Sequence, residues 1–162
     1  LSLEDGSRAM KLSELIDEAT ILPELKAKDK KQVLEELVDA LVRREPEIDK
    51  EALVKVLLER ERLGSTGIGD GVAIPHGKFP GIHHPIITLG RSRQGLDFES
   101  MDGEPAYLFF LLVAPENSAS IHLKALAKIA KILKNSSFRK VLMEAPGRRE
   151  MYQIMIQNDE DF

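Results

Sequence analysis

Tyr107-Leu-Phe-Phe-Leu-Leu-Val113 limits the possible folds of this 162-residue chain more than any other stretch. The run is apolar nearly throughout, as in a strand covered on both faces rather than one exposed to water on one side. Any sheet that holds it therefore needs packing layers above and below. Val72-Ala-Ile74 and Ile86-Ile-Thr-Leu89 are further short, β-branched runs bounded by Gly and Pro, and a fourth, shorter strand is expected around 96–98.

Helical patterns flank this central region. Asp29-Lys-Lys-Gln32 forms a candidate capping box, followed by Val33, Leu34, Leu37, Val38, Leu41 and Val42 at helical spacing. Pro46 ends that helix. Asp49 caps a second, which turns Leu53, Val54, Leu57 and Leu58 inward and stops at Gly64. After the sheet, Ile121, Leu123, Leu126, Ile129, Ala130 and Leu133 define the inner face of another helix, with Asn135 as its stop. Two more helices are expected over 138–144 and 149–157, separated by Ala145-Pro-Gly147. The chain shows no repeat or linker. Helices, then sheet, then helices give one α/β domain with helices packed on a small mixed sheet, spanning residues 10–162. Residues 1–9 are expected to be an irregular extension left from expression, with Met10 the natural start.

Composition excludes several function classes. There are 27 acidic against 23 basic residues, a net charge of −4, where a duplex-binding surface usually carries a basic excess. Two Tyr, six Phe and no Trp supply a single-strand stacking platform poorly, so no nucleic-acid partner is expected. No apolar run approaches the roughly 20 residues that span a bilayer, and no membrane insertion is expected. The chain has no cysteine, which removes disulfides, thiolate nucleophiles and thiolate metal sites and fits a reducing compartment.

Gly64-Ser-Thr-Gly-Ile-Gly-Asp-Gly-Val-Ala-Ile-Pro-His-Gly77 carries the chemistry. A Walker loop needs a terminal Gly-Lys-Ser/Thr, which is absent here. The dinucleotide fingerprint needs another glycine spacing and leads from strand to helix, whereas this segment leads from helix to strand. What remains is a loop whose glycines let a ligand approach the backbone, with amides and the Ser65 and Thr66 hydroxyls available to an anion. A flexible connection is the alternative reading. Pro75 favours function, because it cannot donate to a sheet ladder and leaves His76 free to project from a broken strand end. Asp70, His83 and His84 are read as surface residues. A metal-dependent hydrolase built on histidines and nearby acids lacks any local ligand spacing, so no metal and no cofactor are expected.

Gly64 to Lys78 resembles the signature of type-2 enzyme IIA domains of the bacterial phosphoenolpyruvate-dependent sugar phosphotransferase system, a family that serves fructose and mannitol and includes the nitrogen-regulatory enzyme IIA. The resemblance runs from about Met10 to the C-terminus. It implies a cytoplasmic phosphocarrier in which His76 accepts a phosphoryl group from HPr or a paralogue. The group then passes to a cysteine of an enzyme IIB or serves as a regulatory mark. It also implies that Arg60 neutralises the transferring group, that the Ser65–Gly67 loop donates to its oxygens, and that His122 contacts His76 or the phosphoryl group. Without the resemblance, Arg60 reads as a cation at a helix C-terminus and His122 as a solvated first-turn residue. Ile68, Phe79 and Ile82 are candidate apolar rim residues for protein docking, with a core role equally open to each.

Overall fold

The structure, a computed structural model, describes residues 11–158, and the reading of residues 1–9 as an extension lies outside them. Twelve segments follow in order. A short helix α1 (Leu12–Leu15) and a single 3-10 turn (Glu18–Thr20) precede α2 (Lys30–Arg44) and α3 (Lys50–Arg62). Five strands come next: β1 (Gly67–Gly69), β2 (Val72–Ala73), β3 (His76–Phe79), β4 (Ile86–Leu96) and β5 (Ala106–Pro115). The helices α4 (Ala119–Leu133), α5 (Ser136–Glu144) and α6 (Arg148–Ile156) complete the order.

β5 is the central strand. On one side it pairs antiparallel with β4, and on the other it pairs parallel with both β2 and β3. Val72 lies opposite Leu108 and His76 opposite Leu112, so β2 and β3 run along β5 in one unbroken register. Pro75 lies in the gap between them, and its carbonyl still accepts from Leu112 N at 2.9 Å. The strand therefore continues past the proline, and His76 opens its second half rather than closing a strand end as expected.

Alternation along β5 assigns its side chains to two cores. Leu108, Phe110 and Leu112 pack with α1, α4, α5 and α6, while Phe109, Leu111 and Val113 pack with α2 and α3. Every one of these residues is at most 2% exposed, as a doubly covered strand requires. The outer edge of β4 is closed by the chain after α1. Leu22 N donates to Leu89 O, and Arg91 N donates back to Leu22 O.

The caps explain the helix starts. Asp29 accepts from Gln32 N at 2.8 Å, but Gln32 reaches Lys28 N at 2.9 Å rather than the Asp29 amide of a full capping box. Asp49 accepts from Ala52 N, as predicted. Asn135 does more than stop α4, because its side chain accepts from Ser137 N and Phe138 N and so starts α5.

Two expectations need correction. The separate strand around 96–98 is not formed: Leu96 ends β4 itself, and Phe98 is buried from an irregular segment. The inner face of α4 consists of His122, Ala125, Ile129, Ile132 and Leu133, whereas Leu123 is 66% exposed. His122 belongs to the helical stripe that faces the sheet.

Candidate active site

α3 delivers Arg60 and Glu61 in its last turn, after which Leu63 and Gly64 end the helix. Gly64 has φ +148°, a conformation open to glycine and strained for other residues. The glycine-rich segment then forms a β-hairpin. β1 pairs antiparallel with β2 through a two-residue turn at Asp70 and Gly71, with φ of 58° and 78°. Positive φ at both central positions is the geometry that favours Asp-Gly in tight hairpins. Asp70 is exposed, with its amide bonded to Asp102 Oδ2, and His83 and His84 are also exposed, in line with the surface reading.

His76 is half-buried at the start of β3. Its Nδ1 lies 2.7 Å from Ile74 O. A carbonyl can only accept, so Nδ1 carries the proton and the Nε2 lone pair is available for chemistry. His122 and His76 meet edge to face, with ring centroids 5.3 Å apart and planes at 71°. Arg60, Ser65, Thr66, Ile68, Met101 and Leu126 join His76 around a shallow depression of about 390 Å³. The Arg60 Nη1 donates to Gly64 O at 2.8 Å, which uses one of its five N–H donors.

Both histidines are biased toward the neutral form. Burial is the largest cause for His76; Arg60 pushes the same way, while the Ile74 bond and Glu61 oppose it. For His122, burial again leads, followed by the His76 and Lys78 charges. The neutral bias expected for His122 from its place in the helix is present, with burial as its main source.

The loop donors expected to meet an anion are engaged within the protein. Ser65 Oγ donates to Phe98 O at 2.9 Å and accepts from Gly67 N at 3.0 Å. Thr66 N and Thr66 Oγ1 both donate to the Glu61 carboxylate, which also accepts from Lys30 Nζ at 3.0 Å. Ser65 and Thr66 thus wall the depression with their hydroxyls already partnered. Any bond from those hydroxyls, Thr66 N or Gly67 N to a phosphoryl oxygen requires an exchange of partners.

The candidate rim residues divide between the two roles open to them. Phe79 and Ile82 are buried in the core, whereas Ile68 is exposed. Leu63, Met101 and Leu123 are exposed apolar side chains in or beside the site segments, and the sequence reading did not include them. Glu61 and Lys30 were missed as well. A helical turn reading Glu-Arg-Glu-Arg looks solvated, and only the structure shows one of its acids folded inward. Among the described residues, no three His, Cys, Asp or Glu side chains converge on a point that could hold a metal.

Comparison with known proteins points the same way as the signature. Residues 14–158 match the model of the family described as "Phosphoenolpyruvate-dependent sugar phosphotransferase system, EIIA 2". A nitrogen regulatory protein of Bradyrhizobium diazoefficiens is 41% identical over 146 residues, covering 90% of this chain and 95% of that protein. The fructose-specific EIIABC component of Bacillus subtilis is 39% identical over 93% of this chain, which spans only 24% of that longer protein. The crystal structure of nitrogen regulatory protein IIA-Ntr from Neisseria meningitidis superposes with a TM-score of 0.83 at 33% identity, covering 89% of this chain and 98% of that one.

Proposed function

The chain belongs to the type-2 EIIA family of the phosphoenolpyruvate-dependent sugar phosphotransferase system, and from that membership we propose that it is a cytoplasmic phosphocarrier whose acceptor atom is His76 Nε2. The observation that carries this reading is the Nδ1 bond to Ile74 O, which fixes the tautomer so that the neutral ring, favoured by burial, has Nε2 as its lone-pair nitrogen. In the transfer, that lone pair attacks the phosphorus of a phosphohistidine on an HPr-type donor. The new N–P bond forms as the donor's N–P bond breaks, and the donor imidazole leaves with the bonding pair. The positive charge that develops on the His76 ring is held at Nδ1–H by Ile74 O.

Because such a transition state is loose and spreads charge over three oxygens, positioning and electrostatics do most of the work. Arg60, lining the same depression, supplies the cation. His122 supports the acceptor ring edge to face and keeps its own charge off. Burial of both rings favours the nucleophilic neutral form near pH 7. A second transfer, to the cysteine thiolate of an enzyme IIB, would regenerate His76. The exposed Ile68 and Met101 beside the depression suit the modest, transient interface such a relay needs.

A regulatory role is the second reading: the phosphoryl state of His76 would then control partner proteins of nitrogen or potassium metabolism without sugar transport. It is favoured by the match over almost the whole length of a nitrogen regulatory protein. Incubation with purified enzyme IIB domains separates the two. A transport component passes its phosphoryl group on quickly, and a regulator slowly or not at all.

A further inference from the structure

We propose that Glu61 is a positioning residue of this site: its buried carboxylate fixes the glycine-rich loop and Arg60 relative to His76. The proposal rests on His76 as the phosphoryl acceptor. A carboxylate in the last turn of α3 opposes the helix dipole, and burying it costs desolvation besides. Yet the Glu61 side chain is only 4% exposed. Its two oxygens are occupied by three donors: Thr66 N at 3.1 Å, Thr66 Oγ1, and Lys30 Nζ at 3.0 Å.

These bonds clamp the loop from both sides. Lys30 also pairs with Glu99 at 3.0 Å and stands 4.7 Å over the Phe98 ring. The Phe98 carbonyl in turn accepts from Ser65, and Ser100 fills the space beside Gly67, where a Cβ would approach its hydroxyl to 2.4 Å. A single carboxylate thus joins the end of α3, the start of α2 and the loop that precedes β1, and through Lys30 it reaches the segment after β4. Arg60, its neighbour in sequence, is anchored by the same loop through Gly64 O.

The charge of Glu61 also has a role. The groups facing His76 are Arg60 and Glu61 from the end of α3 and His122 from α4, and Glu61 alone among them raises the ring's proton affinity. It therefore offsets Arg60 and keeps the imidazole basic enough to attack. A neutral residue would retain the packing but not this balance.

The test compares Glu61→Gln and Thr66→Val with the unsubstituted chain. Single-turnover phosphorylation by phospho-HPr is measured across pH, KM and kcat are separated, and the His76 ring is titrated by NMR. Glu61→Gln is expected to remain labelled at His76, with kcat lowered about tenfold or more, KM for phospho-HPr little changed, and the ring titrating at lower pH. Thr66→Val removes one clamp bond without changing charge, so it should slow transfer and leave the titration in place. Unchanged rate and titration in Glu61→Gln overturn the proposal. So does a slowing matched only by lost thermal stability, with the ring titrating as before. Failure of His76 to be labelled in the unsubstituted chain overturns the functional reading, and the proposal with it.

Discussion

The orientation of one imidazole determines what His76 can do. Ile74 O accepts from Nδ1–H, so Nε2 is the nitrogen left to meet a donor in the proposed transfer. Because burial holds the His76 proton affinity below its ordinary value of 6.5, the ring is neutral at pH 7. Phosphoryl acceptance is expected to be flat through neutral pH and to fall only at a midpoint below 6.5, as the folded ring protonates; single-turnover rates against pH check this. His122 carries a stability consequence of defined sign. Its folded proton affinity is also lowered, so as pH drops below about 6.5 the unfolded chain takes up a proton first. Stability is therefore complete above that pH and is lost as pH falls toward the folded value. Thermal melts should show this loss, and His122→Asn should reduce it to the part that the likewise lowered His76 contributes. Arg60→Ala should slow transfer about 100-fold. Arg60→Lys should recover only part of the rate, because a lysine keeps the charge and loses the planar fork.

At the scale of elements, the helices and the central strand were legible because apolar spacing is set by the side of each element that meets the core. β5 was read as doubly covered, and both its faces are buried. The inner face of α4 was legible at Leu126, Ile129, Ala130 and Leu133, all packed in or against the core, but not in its first turn. A pattern that counts only apolar residues cannot include His122, so it assigns the first-turn position to Leu123, which is exposed. The β1–β2 hairpin escaped notice although Asp70-Gly71 is a strong turn signal, since strands of three and two residues carry almost no periodicity. The glycine-rich segment offers two readings in the sequence, an anion cradle and a flexible connection. The Ser65 and Thr66 hydroxyls are bound to Phe98 and Glu61, pairings 33 and five residues apart in sequence that no apolar pattern encodes. Within this segment Gly67 is required by space: an added Cβ would lie 3.0 Å from the Ser100 Cα, too close for a flexible side chain alone to relieve. Gly67→Ala should lower stability by about 1–3 kcal/mol. Urea unfolding would measure that, together with a slower transfer rate as the loop shifts.

Across the whole molecule, the site collects one residue from each layer. Arg60 comes from the helices on one face, His76 from the sheet, and His122 from the helices on the other face. Relative placement of the three therefore depends on both cores being intact, and core-weakening substitutions far from the depression should lower transfer before they unfold the chain. His76 itself is half-buried at the edge of this assembly, so His76→Ala should change the unfolding free energy by about 1 kcal/mol or less while removing activity. That separation lets a single measurement address the functional claim. The chain and its His76→Ala variant are incubated with phosphoenolpyruvate, enzyme I and HPr, and any acid-labile phosphate is mapped. One phosphoryl group on His76 Nε2 and none on the folded variant is the expected result; stoichiometric labelling of His76→Ala, or an unlabelled parent chain, would contradict it.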